Sequence, residues 1–364
     1  MNLNEESIIS SSQYKKDISI EALRITACIM VIFIHVSAYN TYVLSPETFL
    51  WQAMNFWNSA VSSAVPIFFM ISGAFMLNPN INMGLEKLKR KIIKLSILYV
   101  IWVVLYSCYI SSIENCIPLG MTWLKQVIIT ALNGGRYHLW FLPMLIGLYF
   151  FTPLLRAMVK DLNKRIFLYG IRVFIVIVLC NTVLELEVIP YYQFLSDILN
   201  RFPIEALTNG GGYYLLGYYI YNYDIQEKAC KNIYFLAICS ILITSIVSGY
   251  IAVTTGTLGA LHQNISITTF VEAIAIFLFF KKHLGRIPFT VKMQKGVLMI
   301  SDLTLGVYVF HDIILTYFRH TGLLSTADFN PLVSIPCIAA IIFLVSLCAV
   351  WILKHIPVVK KWMV

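Results

Sequence analysis

Ten apolar runs, each long enough to cross a lipid bilayer, occupy most of this 364-residue chain. They cover residues 19–40, 59–77, 95–113, 138–155, 166–187, 206–222, 232–253, 265–281, 297–318 and 331–353. Inside hydrocarbon, backbone N–H and C=O groups must be satisfied without water, which leaves helices or closed barrels as the spanning structures. Runs of this length and continuity choose the helix. The expected fold class is all-α, a polytopic integral membrane bundle of about ten transmembrane helices. Composition agrees: 59% of residues are hydrophobic and 12% charged, with a mean hydropathy of +0.77, whereas soluble domains carry about a quarter charged residues. The segment 123–133 is too short to cross and reads as an interfacial or re-entrant helix. Residues 1–18 form an N-terminal tail, 19–355 the membrane domain and 356–364 a C-terminal tail. The first run is too long for a signal-peptide core and lacks a small-residue cleavage site, so it is expected to stay as the first span.

Cations set the orientation. With the N-terminus inside, 21 of the 27 Lys and Arg fall in inner segments. Only Lys125, Arg136, Arg201 and Arg319 fall outside, and Arg24 and Arg172 lie within spans. That asymmetry places both termini in the cytoplasm. It also accounts for the net charge of +9, so no nucleic-acid partner is needed to explain the basic balance. Eight cysteines (28, 108, 116, 180, 230, 239, 337 and 348) are scattered without metal-site or disulfide spacing and read as buried small hydrophobes. The aromatic connection 185–203 reads as an interfacial hairpin or lid.

The first run carries Arg24 and His35. Eleven residues at about 100° each bring the two within about 20° of one another, about 16 Å apart along the axis. Glu21 and Cys28 fall near the same stripe. Two readings stand: Arg24 snorkels to the headgroups while His35 packs in the core, or the stripe faces a functional cavity. Topology then puts three histidines at similar outer depth: His35, His138 at the start of the fourth run, and His311 in the ninth, with Asp312 beside it and Tyr308 one turn before. Histidine is the side chain suited to moving a proton near neutral pH. No HxxxH or HExxH pattern supports zinc, so no metal is expected. A serine nucleophile, Ser37 or Ser72, lacks an elbow motif.

On the inner side, LEKLKRKIIK at 85–94 concentrates Lys87, Lys89, Arg90, Lys91 and Lys94. It reads either as a topology anchor that attracts anionic lipid or as a surface for a polyphosphate-bearing cofactor, which Arg172 would extend inward. Glu272, in the middle of the eighth run, requires a partner. The Ser72, Gly73, Ala74 patch in AVPIFFMISGAFM permits close helix approach.

Arg24 with ten residues before His35, PIFFMISGAFM, the basic KRKIIK, YHLWFL and SDLTLGVYVFH, in that order, resemble the membrane acyltransferase 3 family. Within it, the look is that of bacterial inner-membrane O-acetyltransferases that modify surface polysaccharides, the enterobacterial common antigen type. The resemblance runs over residues 17–355. It implies a multi-pass enzyme of the bacterial cytoplasmic membrane that moves an acyl group, usually acetyl, from cytoplasmic acyl-CoA to a hydroxyl of an envelope glycan or lipid-linked sugar. Carried over by position, His35 and Arg24 are the catalytic pair, and His138, Tyr308, His311 and Asp312 are acceptor-side candidates. Arg90, Lys91, Lys94 and Arg172 are the donor-binding candidates. Lys91 and Lys94 stand where the family often has an Arg-x-x-Arg pair; lysine keeps the charge and loses bidentate phosphate recognition. His35 serves as general base or carries the acyl group itself, and both routes stay open. A transporter or channel using the Arg/His pathway is the rival reading, although inverted halves and paired broken helices are not visible. The membrane part of a larger fused enzyme is a third, against which the chain's ending at Val364 speaks. Acceptor identity, acyl length and oligomeric state are not legible at this level.

Overall fold

The structure is a computed structural model that describes residues 17–39, 41–81, 83–113, 120–161, 164–186, 194, 197, 210–327 and 329–362. Its regular elements are helices: α1 (Ile18–Ser37), α2 (Phe49–Val61), α3 (Ala64–Met76), α4 (Leu85–Ile113), α5 (Met121–Leu132), α6 (Phe141–Asp161) and α7 (Lys164–Glu185). The second half adds α8 (Gly212–Asn222), α9 (Glu227–Thr255), α10 (Ile267–Lys282), α11 (Val291–Ser301), α12 (Thr304–Thr321), α13 (Pro331–Leu353) and α14 (Pro357–Trp362). No strand occurs among the described residues.

Local chemistry explains the boundaries. Side chains of Asp17, Thr48, Thr290 and Asn330 accept from backbone N–H groups of the first turns of α1, α2, α11 and α13, satisfying donors that a helix start leaves orphaned. Gly256 and Gly322, at φ of 75° and 63°, close α9 and α12 in the left-handed conformation that glycine reaches without strain.

Among the described residues, seven helices are long and apolar enough to cross a membrane, α2 and α3 counting together as one run of 28 residues. An eighth crossing is α11 with α12, bent by 55° where the sequence suggested one straight run at 297–318. At the break, the Thr304 hydroxyl donates to the Ser301 carbonyl at 2.8 Å, a side-chain bond that competes with the helical ladder. The expected spans at 206–222 and 265–281 are the short helices α8 and α10, of 11 and 16 residues. Eleven residues rise only about 16 Å, about half the hydrocarbon thickness. The ten runs thus correspond to seven full-length helices, one bent pair and two short buried ones. The 123–133 segment is α5, and the expected lid at 185–203 lies largely outside the described residues.

α8 is held by backbone contact with α3. A Cβ on Gly73 would lie 1.7 Å from the Tyr214 carbonyl oxygen, and one on Gly217 would lie 2.0 Å from that of Met70. Two glycines, one on each helix, therefore bring the axes together. Outside the bundle, Phe150, Phe151, Leu154, Ile243, Ile246, Leu344 and Trp351 are exposed, an apolar surface that lipid would cover. Of the seven described cysteines, Cys28 and Cys230 are buried, but Cys108, Cys337 and Cys348 are exposed on this outer surface rather than buried.

Candidate functional site

One side of α1 runs along the bent pair. Near its start, Ser301 donates its hydroxyl to Glu21 Oε2, which also accepts from Arg24 Nη1 at 2.7 Å. Cys28 Sγ reaches the Thr304 carbonyl at 3.6 Å, and the His35 ring stacks on His311 at 5.4 Å between centroids. The period read from the sequence therefore holds in space: Glu21, Arg24, Cys28 and His35 all face one side.

Arg24 lines a cavity of about 360 Å³. Lys91 and Lys94 of α4 line it too, with Ser72, Tyr149 and Leu145 along its walls and Phe68, Phe141 and Tyr308 also bordering it. Lys91 and Lys94 lie three positions apart and so share a helix face. Arg90 and Arg172 are exposed and outside this lining. For Arg172 the reason is plain, since α7 packs Phe174 against Tyr213 and Phe270 and not against α1 or α4.

Beyond Tyr308 the three histidines meet. His35 lies 6.1 Å from His138 and His138 lies 5.0 Å from His311, centroid to centroid. His311 Nδ1 is 2.6 Å from the Tyr308 carbonyl; a carbonyl only accepts, so Nδ1 carries the proton. Its Nε2 is buried without a hydrogen-bond partner, as are both ring nitrogens of His138. Two buried imidazoles with unsatisfied nitrogens, beside a third, form a cluster whose free hydrogen-bonding capacity suits a polar guest.

Asp312 is fully buried. Its Oδ2 accepts from Arg136 Nε at 3.0 Å, its Oδ1 accepts the Tyr137 hydroxyl, and His138 Nδ1 lies 3.9 Å away. Burial raises the Tyr137 phenol above its ordinary value, with Asp312 adding to the effect, so Tyr137 stays protonated and donates. The Tyr308 hydroxyl donates to the His138 carbonyl. Arg319 Nη2 donates to the His35 carbonyl at 3.0 Å while its guanidinium covers the Tyr39 ring at 4.4 Å.

Aromatic rings stand between the Arg24 cavity and the histidines. The cavity closes on Phe68, Phe141 and Tyr308, whose rings stand 5.7–6.2 Å apart, and the Tyr308 ring lies 5.9 Å from His138. Tyr308 thus borders the Arg24 cavity and touches the histidine cluster, and with Phe68 and Phe141 it forms a three-ring septum at that end of the cavity.

A family described as an acyltransferase domain matches residues 17–354. The chain belongs to the acyltransferase 3 family. An amino-acid racemase of Enterococcus faecalis is 31% identical over 143 residues, 38% of this chain and 19% of the racemase. The chain thus matches about a fifth of that relative's length. No solved structure matches.

In this acyltransferase-family chain, Arg136, Tyr137 and Arg319 belong to the site although sequence reading left Arg136 and Arg319 as outer-loop cations. A signal existed: outer cations were few, and Arg136 stands two residues before His138. Ser37 donates to the Ile34 carbonyl at 3.1 Å, which occupies its proton, while Ser72 lines the Arg24 cavity. Among the described residues no group of three His, Cys, Asp or Glu is placed to hold a metal ion. Glu272 finds a serine rather than a cation: Ser62 donates to its Oε2 at 3.1 Å.

Proposed function

We propose that this chain is a membrane O-acyltransferase of the bacterial cytoplasmic membrane, taking an acyl group, acetyl first among them, from cytoplasmic acyl-CoA to a hydroxyl of an envelope glycan or lipid-linked sugar. The observation that carries the reading is the α1 stripe, with a cation-lined cavity at one end and three clustered imidazoles at the other. The 21 to 4 distribution of Lys and Arg supports an inner position for the cavity and cytoplasmic termini.

Arg24, Lys91 and Lys94 supply positive charge for the coenzyme's phosphates, and the 360 Å³ cavity suits its slim arm. Tyr308 and the two phenylalanines must part for the thioester to reach the histidines. There, an imidazole nitrogen takes the proton of the acceptor hydroxyl while the oxygen attacks the thioester carbonyl carbon. The C–S bond breaks, and the leaving thiolate takes up a proton as free coenzyme A. Alternatively His35 first carries the acyl group on a ring nitrogen and passes it to the hydroxyl in a second step. Arg136, Tyr137 and Asp312 hold the outer end of the histidine cluster, and Arg319 fixes the His35 backbone.

The test is labelled acetyl-CoA supplied to purified protein in vesicles, with label recovered in coenzyme A-free product and in glycan. General acid–base catalysis contributes roughly 10²–10⁴-fold, so His35→Ala should lose at least that much transfer. Full transfer by His35→Ala would refute the mechanism, and uptake of a solute without coenzyme A release would favour a transporter instead.

A further inference from the structure

A second cavity, of about 230 Å³, lies at the histidine end of the bundle on the other side of the start of α6. That volume is several times the roughly 30 Å³ share of one water, enough for a ring-sized solute. Its walls are Phe69, Trp140 and Tyr213, and its polar groups are His262, Gln263 and Asn264. Trp140 follows His138 by two residues, so its backbone lies within about 7 Å of the histidine's.

The cavity is built rather than incidental. Its polar residues belong to the 256–266 connection, which three bonds pin: the Tyr213 hydroxyl donates to the Asn264 carbonyl, His262 Nε2 meets Ser59 Oγ at 3.1 Å, and the Ile267 N–H donates to Thr182 Oγ1 at 2.7 Å. Gly210, at φ of 100°, lets the backbone come against Phe69 where a Cβ would stand 2.8 Å from the ring. Among the described residues, no Asp, Glu, Lys or Arg lines the space. Desolvation lowers the His262 imidazole below its ordinary value, which keeps it neutral at pH 7. Flat aromatic walls with amide and imidazole groups, and no formal charge among the described lining residues, match one chemistry well: an uncharged sugar, whose C–H face covers a ring while its hydroxyls meet the polar groups.

We propose that this pocket is an acceptor subsite that holds a neutral pyranose ring of the glycan beside the sugar that receives the acyl group. The proposal rests on the O-acyltransferase reading above. It assigns Trp140 as the stacking platform and Gln263 as a hydroxyl partner, and it makes the acceptor an oligosaccharide of at least two sugars rather than a single one.

The experiment uses the full chain in vesicles with labelled acetyl-CoA and, as probe, oligosaccharide released from the envelope of the producing cell. Trp140→Ala and Gln263→Ala should each raise the acceptor KM at least tenfold with kcat at saturating acceptor falling less than threefold. Trp140→Phe, which keeps a ring, should stay within threefold of the parent on both. Gln263 is exposed, so its variant keeps the test alive if Trp140→Ala misfolds. An acceptor KM unchanged within twofold in the alanine variants overturns the subsite and leaves the acyltransferase reading standing. Absence of any transfer by the unaltered chain overturns both.

Discussion

Replacing Gly73 with alanine tests the packing on which the Arg24 cavity depends. The added Cβ would fall 1.7 Å from the Tyr214 carbonyl oxygen and 2.5 Å from its carbon. Ordinary van der Waals contact begins near 3.4 Å, so α3 and α8 must separate by nearly 2 Å. A side chain could yield to such a clash by changing rotamer, but the obstructing atoms here are backbone. Overpacking costs typically about 1–3 kcal/mol, occasionally more, and the rigidity of the obstacle puts Gly73→Ala at the upper end, about 3 kcal/mol. That is roughly a hundredfold in the folded-to-unfolded ratio. Since α3 also carries Phe68, Ile71 and Ser72 into the Arg24 cavity, the separation should widen that wall as well as weaken the bundle. Gly147→Ala in α6 is the internal control: its Cβ would meet nothing within 4 Å, and helix propensity favours alanine by up to about 1 kcal/mol. Thermal unfolding of both variants, followed by size-exclusion fluorescence in one detergent, is the assay. Gly73→Ala should melt many degrees below the parent and Gly147→Ala at or slightly above it. Equal melting of the two variants would refute the backbone contact between α3 and α8.

Asp312→Asn keeps the shape and removes the charge that Arg136 and Tyr137 address. Bonds to charged groups contribute about 1.5–3 kcal/mol, and the amide retains part of this, so a loss of about 2 kcal/mol is expected by thermal unfolding; a stability equal to the parent's would argue against the cluster. The double variant Lys91→Ala with Lys94→Ala should raise the donor KM at least tenfold and flatten its dependence on ionic strength, read from initial rates at increasing salt. Unchanged donor KM at low salt would remove these lysines from phosphate recognition.

Arg24 and His35 were legible together because a helix of known pitch converts an eleven-residue spacing into a shared face, and the stripe from Glu21 to His35 follows that pitch. His138 and His311 were legible through depth, which follows from counting residues once the orientation is assigned. Lys91 and Lys94 were singled out through the family resemblance, and their three-residue spacing turns both into one cavity, whereas Arg172 lies elsewhere because which neighbour a helix turns toward depends on long-range packing. Arg136, Tyr137 and Arg319 reach the site through turns and a helix end, where no periodicity reports direction. Glu272 Oε2 pairs with Ser62 across 210 positions of sequence, a pairing no local pattern encodes. The bend after Ser301 hid inside an apolar run, since hydropathy alone does not register a hydroxyl that bonds to the backbone of the turn before it.

The septum of Phe68, Phe141 and Tyr308 carries a consequence for the cell that houses the protein. A through-going water file between two aqueous compartments would conduct protons and dissipate the electrochemical gradient whenever the enzyme idled. Three rings packed at the border of the Arg24 cavity work against such a file, so an idle molecule keeps the bilayer electrically tight.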